Sequence, residues 1–140
     1  MTDSVWCFFY GGIINRDVMK RLSFQPECEH TASVLGFELR ISPLVNLVPS
    51  PNGVTFGRLM RTTHGALEAV YSQLQARYLP YPVVATGERG WTIAALCYRV
   101  PDMPSGRAEA SHVQPLLTSA IEFQFPDWYV EKIRSFITDE

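Results

Sequence analysis

The sequence predicts an α+β domain: a mostly antiparallel sheet or small β-barrel covered by helices. Three observations carry this. Strand-like runs of β-branched and aromatic residues crowd the first hundred positions, the tail changes to a helical period, and 140 residues at 46% apolar content are enough to bury one core. No repeat, low-complexity tract or linker divides the chain, so residues 1–140 read as a single domain.

The elements follow in order. Val5 to Tyr10 reads as a buried strand, and it runs directly into Gly11 and Gly12, a pair that lets the backbone turn sharply or approach another group closely. Asn15 is placed to cap a short helix carrying Val18, Met19 and Leu22. Strands are expected from His30 to Ile41 and from Val54 to Met60, with Pro49–Gly53 (PSPNG) as a turn between them. Leu67, Val70, Tyr71 and Leu74 share one face of a helix from about His64 to Leu74, whose polar face carries Glu68, Ser72 and Gln75. Tyr81 to Thr86 and Trp91 to Val100 form a hairpin about Gly87–Gly90 (GERG). Ser111 and Gln114 have the spacing of a capping box ahead of Leu116, Leu117, Ala120 and Ile121. Pro126 then suits the first turn of a last helix with a buried stripe of Tyr129, Ile133, Phe136 and Ile137.

Composition excludes several classes of function. A net charge of -2 with scattered Lys and Arg gives no electrostatic footprint for nucleic acid or an anionic membrane. No apolar run approaches the roughly 20 residues that span a bilayer, and the start lacks the pattern of a secretory signal. Three cysteines cannot all pair within one chain, and Cys7 and Cys97 sit in apolar strand-like runs where buried free thiols are common, so a reducing, cytoplasmic setting is expected. Cys28 and His30 are two apart, but neither His64 nor His112 has a companion at ligand spacing, so no metal or other cofactor is expected. Gly11-Gly12-Ile13-Ile14 lacks both the Lys-Ser/Thr of a P-loop and the third glycine of a dinucleotide fingerprint. The expected partner is a small molecule, and the sequence leaves the oligomeric state open.

Several stretches, collinear over nearly the whole chain, resemble the γ-glutamylcyclotransferase-like superfamily, including its γ-glutamylamine cyclotransferase and AIG2-like branches. They are Phe8–Ile14 (FFYGGII), Val34–Ser42 (VLGFELRIS), Val45–Met60 (VNLVPSPNGVTFGRLM), Ile93–Asp102 (IAALCYRVPD) and, the most specific, Pro115–Ile133 (PLLTSAIEFQFPDWYVEKI). The resemblance implies a small mixed β-barrel with flanking helices and a cavity at one mouth. Tyr10, Gly11, Gly12 and Ile13 would line it and bind substrate, successive main-chain amides forming a nest for a carboxylate. It also implies a glutamate that takes a proton from the substrate amine, so that 5-oxoproline is released.

Here the chain departs from the family. Laid on the glutamate segment without a gap, Leu67–Val84 puts Leu74 in the glutamate position; a shift of one puts Gln75 there. Neither side chain takes up and returns a proton. Along a helix Glu68 would lie roughly 10 Å from Gln75, Glu88 falls at the hairpin tip, and Glu122 lies on a polar helix face, so none is an evident substitute. Tyr10, Tyr81 and Tyr98 remain as catalytic candidates that could orient a substrate or donate to an oxyanion; Tyr81 and Tyr98 read equally as core aromatics. Gly12, Ile13 and Ile14 replace more polar family residues, which makes the mouth greasier. The leading expectation is a diverged enzyme acting on a small, partly apolar substrate. A non-catalytic binding module on the same fold, and a true cyclotransferase with a displaced carboxylate, are the alternatives.

Overall fold

The computed structural model describes residues 4–41, 44–74, 77–101, 108 and 110–137. Five strands close into a barrel in the order β1, β3, β2, β4, β5: β1 (Ser4–Phe9), β2 (Cys28–Ile41), β3 (Val45–Thr63), β4 (Leu79–Gly87) and β5 (Thr92–Arg99). Four neighbouring pairs are antiparallel, and β1 closes the ring against β5 in parallel, with Cys7 opposite Leu96. The expected mixed, mostly antiparallel barrel is therefore the observed architecture. Parallel closure puts the C-terminal ends of β1 and β5 at one mouth, together with the N-terminal ends of β3 and β4.

Phe8, Phe9, Leu39, Leu47, Leu59, Met60 and Cys97 are almost wholly buried, and apolar burial of this kind dominates the stability of the closed sheet. Asn46 is the polar exception. Its Nδ2 donates to the Val100 carbonyl at 2.8 Å and its Oδ1 accepts from the Val100 amide at 2.9 Å, which ties the start of β3 to the end of β5.

Four helices flank the barrel: α1 (Arg16–Arg21), α2 (His64–Tyr71), α3 (Ala110–Glu122) and α4 (Asp127–Ser135). Asn15 caps α1 as its sequence position predicts, accepting from the amides of Asp17 and Val18. In α4, Tyr129 and Ile133 are fully buried, while Phe136 and Ile137, expected on the same stripe, follow the end of the helix and pack partly buried against the core. Phe56, Phe125 and Tyr129 form an aromatic cluster with ring centroids 5.1–6.1 Å apart, pinning α4 to β3.

Three local expectations are corrected. Pro49–Gly53 is not the turn between two strands: β3 runs through it, and residues 50–53 bulge opposite Gly36, between the pairs Leu35 with Val54 and Phe37 with Pro49. The turn chemistry is spent on a bulge that bends the long β2–β3 ribbon around the barrel. The helix expected to reach Leu74 stops at Tyr71, and Gln73 and Leu74 continue as tight turns with amides bonded to the Val70 and Tyr71 carbonyls. Ser111 lies inside α3, which begins at Ala110, so its spacing to Gln114 does not mark the helix start.

Candidate functional site

A cavity of about 450 Å³ opens at the mouth where β1 and β5 end. It is lined by the loop after β1 (Tyr10, Gly11, Gly12, Ile13), by α1 (Val18, Arg21, Leu22), by Leu44 and Val45, by the end of α2 and the segment leading to β4 (Tyr71, Gln73, Leu74, Tyr78), by Tyr98, and by α3 (Ser111, His112, Pro115). Its volume lies within the range of small-molecule sites.

The loop is built by the sequence around it. Tyr10 leaves β1 buried, and a 3-10 turn over Gly12–Ile14 follows, with the Ile14 amide bonded to the Gly11 carbonyl at 3.1 Å and the Asn15 amide to the Gly12 carbonyl at 2.9 Å. The opening amides of such a turn have no partner within it. Among the described residues, those of Gly12 and Ile13 donate to nothing in the protein. Asn15 Nδ2 donates to the Pro115 carbonyl at 3.1 Å, locking the loop against α3. Neither glycine has a positive φ. A side chain on Gly11 would come within 3.0 Å of Val45, whereas one on Gly12 would make ordinary contact with Pro115 at 3.6 Å, so closeness to β3 explains the first glycine and the second is not sterically required.

Tyrosines dominate one wall. Tyr10 Oη donates to the Tyr98 carbonyl at 2.5 Å, and Tyr78 Oη donates to the Val45 carbonyl at 2.8 Å. Tyr71 stacks on Tyr98 at 4.1 Å and on Phe9 at 6.2 Å. Among the described residues the hydroxyls of Tyr71 and Tyr98 have no protein partner, which leaves them free for a ligand. Burial pushes all four phenols up: Tyr78 to about 12, Tyr10 with help from nearby Tyr78, and Tyr71 and Tyr98 with help from Cys7. They are therefore hydrogen-bond donors at neutral pH, not bases.

The candidates separate cleanly. Tyr10, Gly11, Gly12, Ile13 and Tyr98 are brought together in the cavity, and so is Leu74. Gln75 lies outside the described residues. Tyr81 lies outside the cavity lining, 40% exposed on β4, its ring 5.8 Å from Phe37 and under the Arg99 guanidinium at 4.8 Å. Tyr81 shares the strand face of buried Val83 and Ala85 but lies near the start of β4, where Phe37 and Arg99 flank it and the cavity does not reach. The carboxylates stay away as well, with Glu122 paired to Arg16 at 3.2 Å and Glu88 exposed at the hairpin tip beside a separate polar cleft with Glu29, His30, Arg58 and Trp91. Among the described residues no group of three or more His, Cys, Asp and Glu side chains could hold a metal. None of their helices is long and apolar enough to cross a membrane.

Sequence reasoning missed four lining residues. In the sequence Tyr71 reads as part of the apolar face of a helix, and nothing marks Tyr78 or Arg21 for a role. His112 was set aside for want of a companion at ligand spacing, although its Nδ1 is buried without a hydrogen-bond partner. One signal was available: Pro115, inside α3, lacks the N–H that the Ser111 carbonyl would otherwise receive, which marks this turn of the helix as unusual.

No protein-family model and no curated protein sequence matches this chain. Solved structures do. A γ-glutamyl cyclotransferase superposes with a TM-score of 0.81 at 16% identity, covering 98% of this chain and 90% of that one. A γ-glutamyl cyclotransferase specific to glutathione, from yeast, gives 0.71 at 12% identity over 97% and 96%. An AIG2-like protein from Mus musculus gives 0.57 at 15% identity over 72% and 80%. Likeness at such low identity is likeness of fold, and by it this chain has the γ-glutamylcyclotransferase-like fold.

Proposed function

We propose that this chain is a diverged enzyme of the cyclotransferase fold that acts at the carbonyl of a small, partly apolar acyl-amine. The observation that carries this reading is one cavity lined both by the Gly12–Ile14 turn, whose opening amides have no partner among the described residues, and by phenols, while Leu74 lies where the resemblance puts a glutamate. The amides supply donors for a carboxylate. The Tyr98 hydroxyl is a donor for the oxyanion that develops as the carbonyl is attacked. His112, whose Nδ1 is buried without a hydrogen-bond partner, is the one imidazole of the described lining, so it takes a proton from an attacking water and passes it to the departing amine, the acyl group leaving as a carboxylate. Tyr10 is a positioning residue, since its hydroxyl is committed to the Tyr98 carbonyl.

A second reading, a binding module without chemistry, is favoured by Leu74 alone. Incubation with γ-glutamyl amino acids, γ-glutamyl-lysine and glutathione is expected to yield no 5-oxoproline; its formation would restore the ordinary cyclotransferase reaction. A panel of small acyl-amines is expected to give amine release that Tyr98→Phe and His112→Ala each lower at least about tenfold. Binding of panel members without turnover favours the module.

A further inference from the structure

The charge inventory of the cavity narrows its ligand. Among the described lining residues Arg21 is the permanently charged side chain, and no carboxylate accompanies it. Arg21 has no ion-pair partner among the described residues, as is also true of Arg77, Arg89 and Arg99, but of these four it alone lines the cavity. The nearby carboxylate whose field reaches the tyrosine wall is that of Glu68, which is exposed on α2 and outside the lining. Four donors without a partner among the described residues add to this: the amides of Gly12 and Ile13 and the hydroxyls of Tyr71 and Tyr98. A free ammonium placed here would lose its hydration beside Leu74 and gain no counter-ion, a cost that unpaired buried charge does not recover. An anion meets donors and a guanidinium.

We propose that the cavity takes an acyl compound with two acidic or carbonyl ends and no free ammonium: one end on the Gly12 and Ile13 amides, the other at Arg21. The inference rests on the reading that this cavity is the ligand site, and it sharpens that reading by excluding amino acids with a free α-amine, whose ammonium would need a carboxylate partner.

Isothermal titration of the full chain with three probes tests it: glutarate, which has two carboxylates; L-glutamate, the same skeleton with an ammonium; and butyrate, with one carboxylate. Glutarate is expected to bind about tenfold tighter than either of the others. Arg21→Gln, a change at an exposed position, is expected to remove the advantage of glutarate over butyrate. Leu74→Glu, checked for folding by circular dichroism, is expected to move the preference toward L-glutamate. Equal binding of all three, or a glutarate advantage that survives Arg21→Gln, overturns the inference while leaving the cavity as a ligand site. Binding of none overturns both.

Discussion

Tyr10 shows how much one side chain holds at this site. Its hydroxyl bonds the Tyr98 carbonyl across the barrel closure, and its backbone starts the loop that bears the free amides. Tyr10→Phe keeps the ring and loses the donor, so a part-buried carbonyl loses its partner; the expected cost is about 1 kcal/mol in urea denaturation, with weaker ligand binding as Tyr98 loosens. An unchanged midpoint would mean that water replaces the phenol. At this scale the sequence was informative where local chemistry decides. Asn15 was legible as a cap because its side chain acts on amides two and three residues away. Tyr81 was not legible, because its neighbours Phe37 and Arg99 come from other strands, and only the closed barrel decides that the cavity lies beyond the start of β4.

Among the elements, the loop after β1 and α3 form a unit. Asn15 serves it twice, capping α1 with Oδ1 and reaching Pro115 with Nδ2. Asn15→Ala removes both and is expected to cost about 1–2 kcal/mol; Asn15→Asp keeps the cap and removes only the donor to Pro115. Thermal melts of the two variants, read beside ligand affinity, separate the roles: affinity falls in both, stability mainly in the first. Equal affinity in Asn15→Asp and the parent would show that the bond to Pro115 does not shape the cavity. The strands were legible as elements from their apolar and β-branched runs, but the bulge at residues 50–53 was not. Proline, serine and glycine mark a backbone irregularity without saying whether the chain reverses there or merely bends, and pairing with β2 makes that choice.

For the whole molecule, the buried phenols and thiols set a limit at alkaline pH. Burial raises Tyr78 from its ordinary 10.0 to about 12, and burial likewise raises Cys97 from 9.0 to about 12. The folded state therefore holds these protons where the unfolded chain releases them. The stability they contribute is fully present below about pH 9 and is lost as pH rises toward 12, Tyr78 alone accounting for roughly 2–3 kcal/mol. Thermal melts across this range should show a falling midpoint, with phenolate absorbance appearing together with loss of the circular dichroism signal. In Tyr81→Phe, which lacks the one exposed phenol, phenolate formation near pH 10 with the fold intact would refute it. By itself the sequence determined the α+β class, the order of strands and helices, and the loop at Tyr10–Ile13, because hydrophobic period and short-range capping are properties of neighbours along the chain. Only the tertiary structure decided which tyrosines meet, that Arg21 and His112 join them, and that Leu74 faces the same space. Those residues lie on five segments brought to one mouth by the parallel closure of β1 on β5, and pairing between strands so far apart in sequence leaves no local mark.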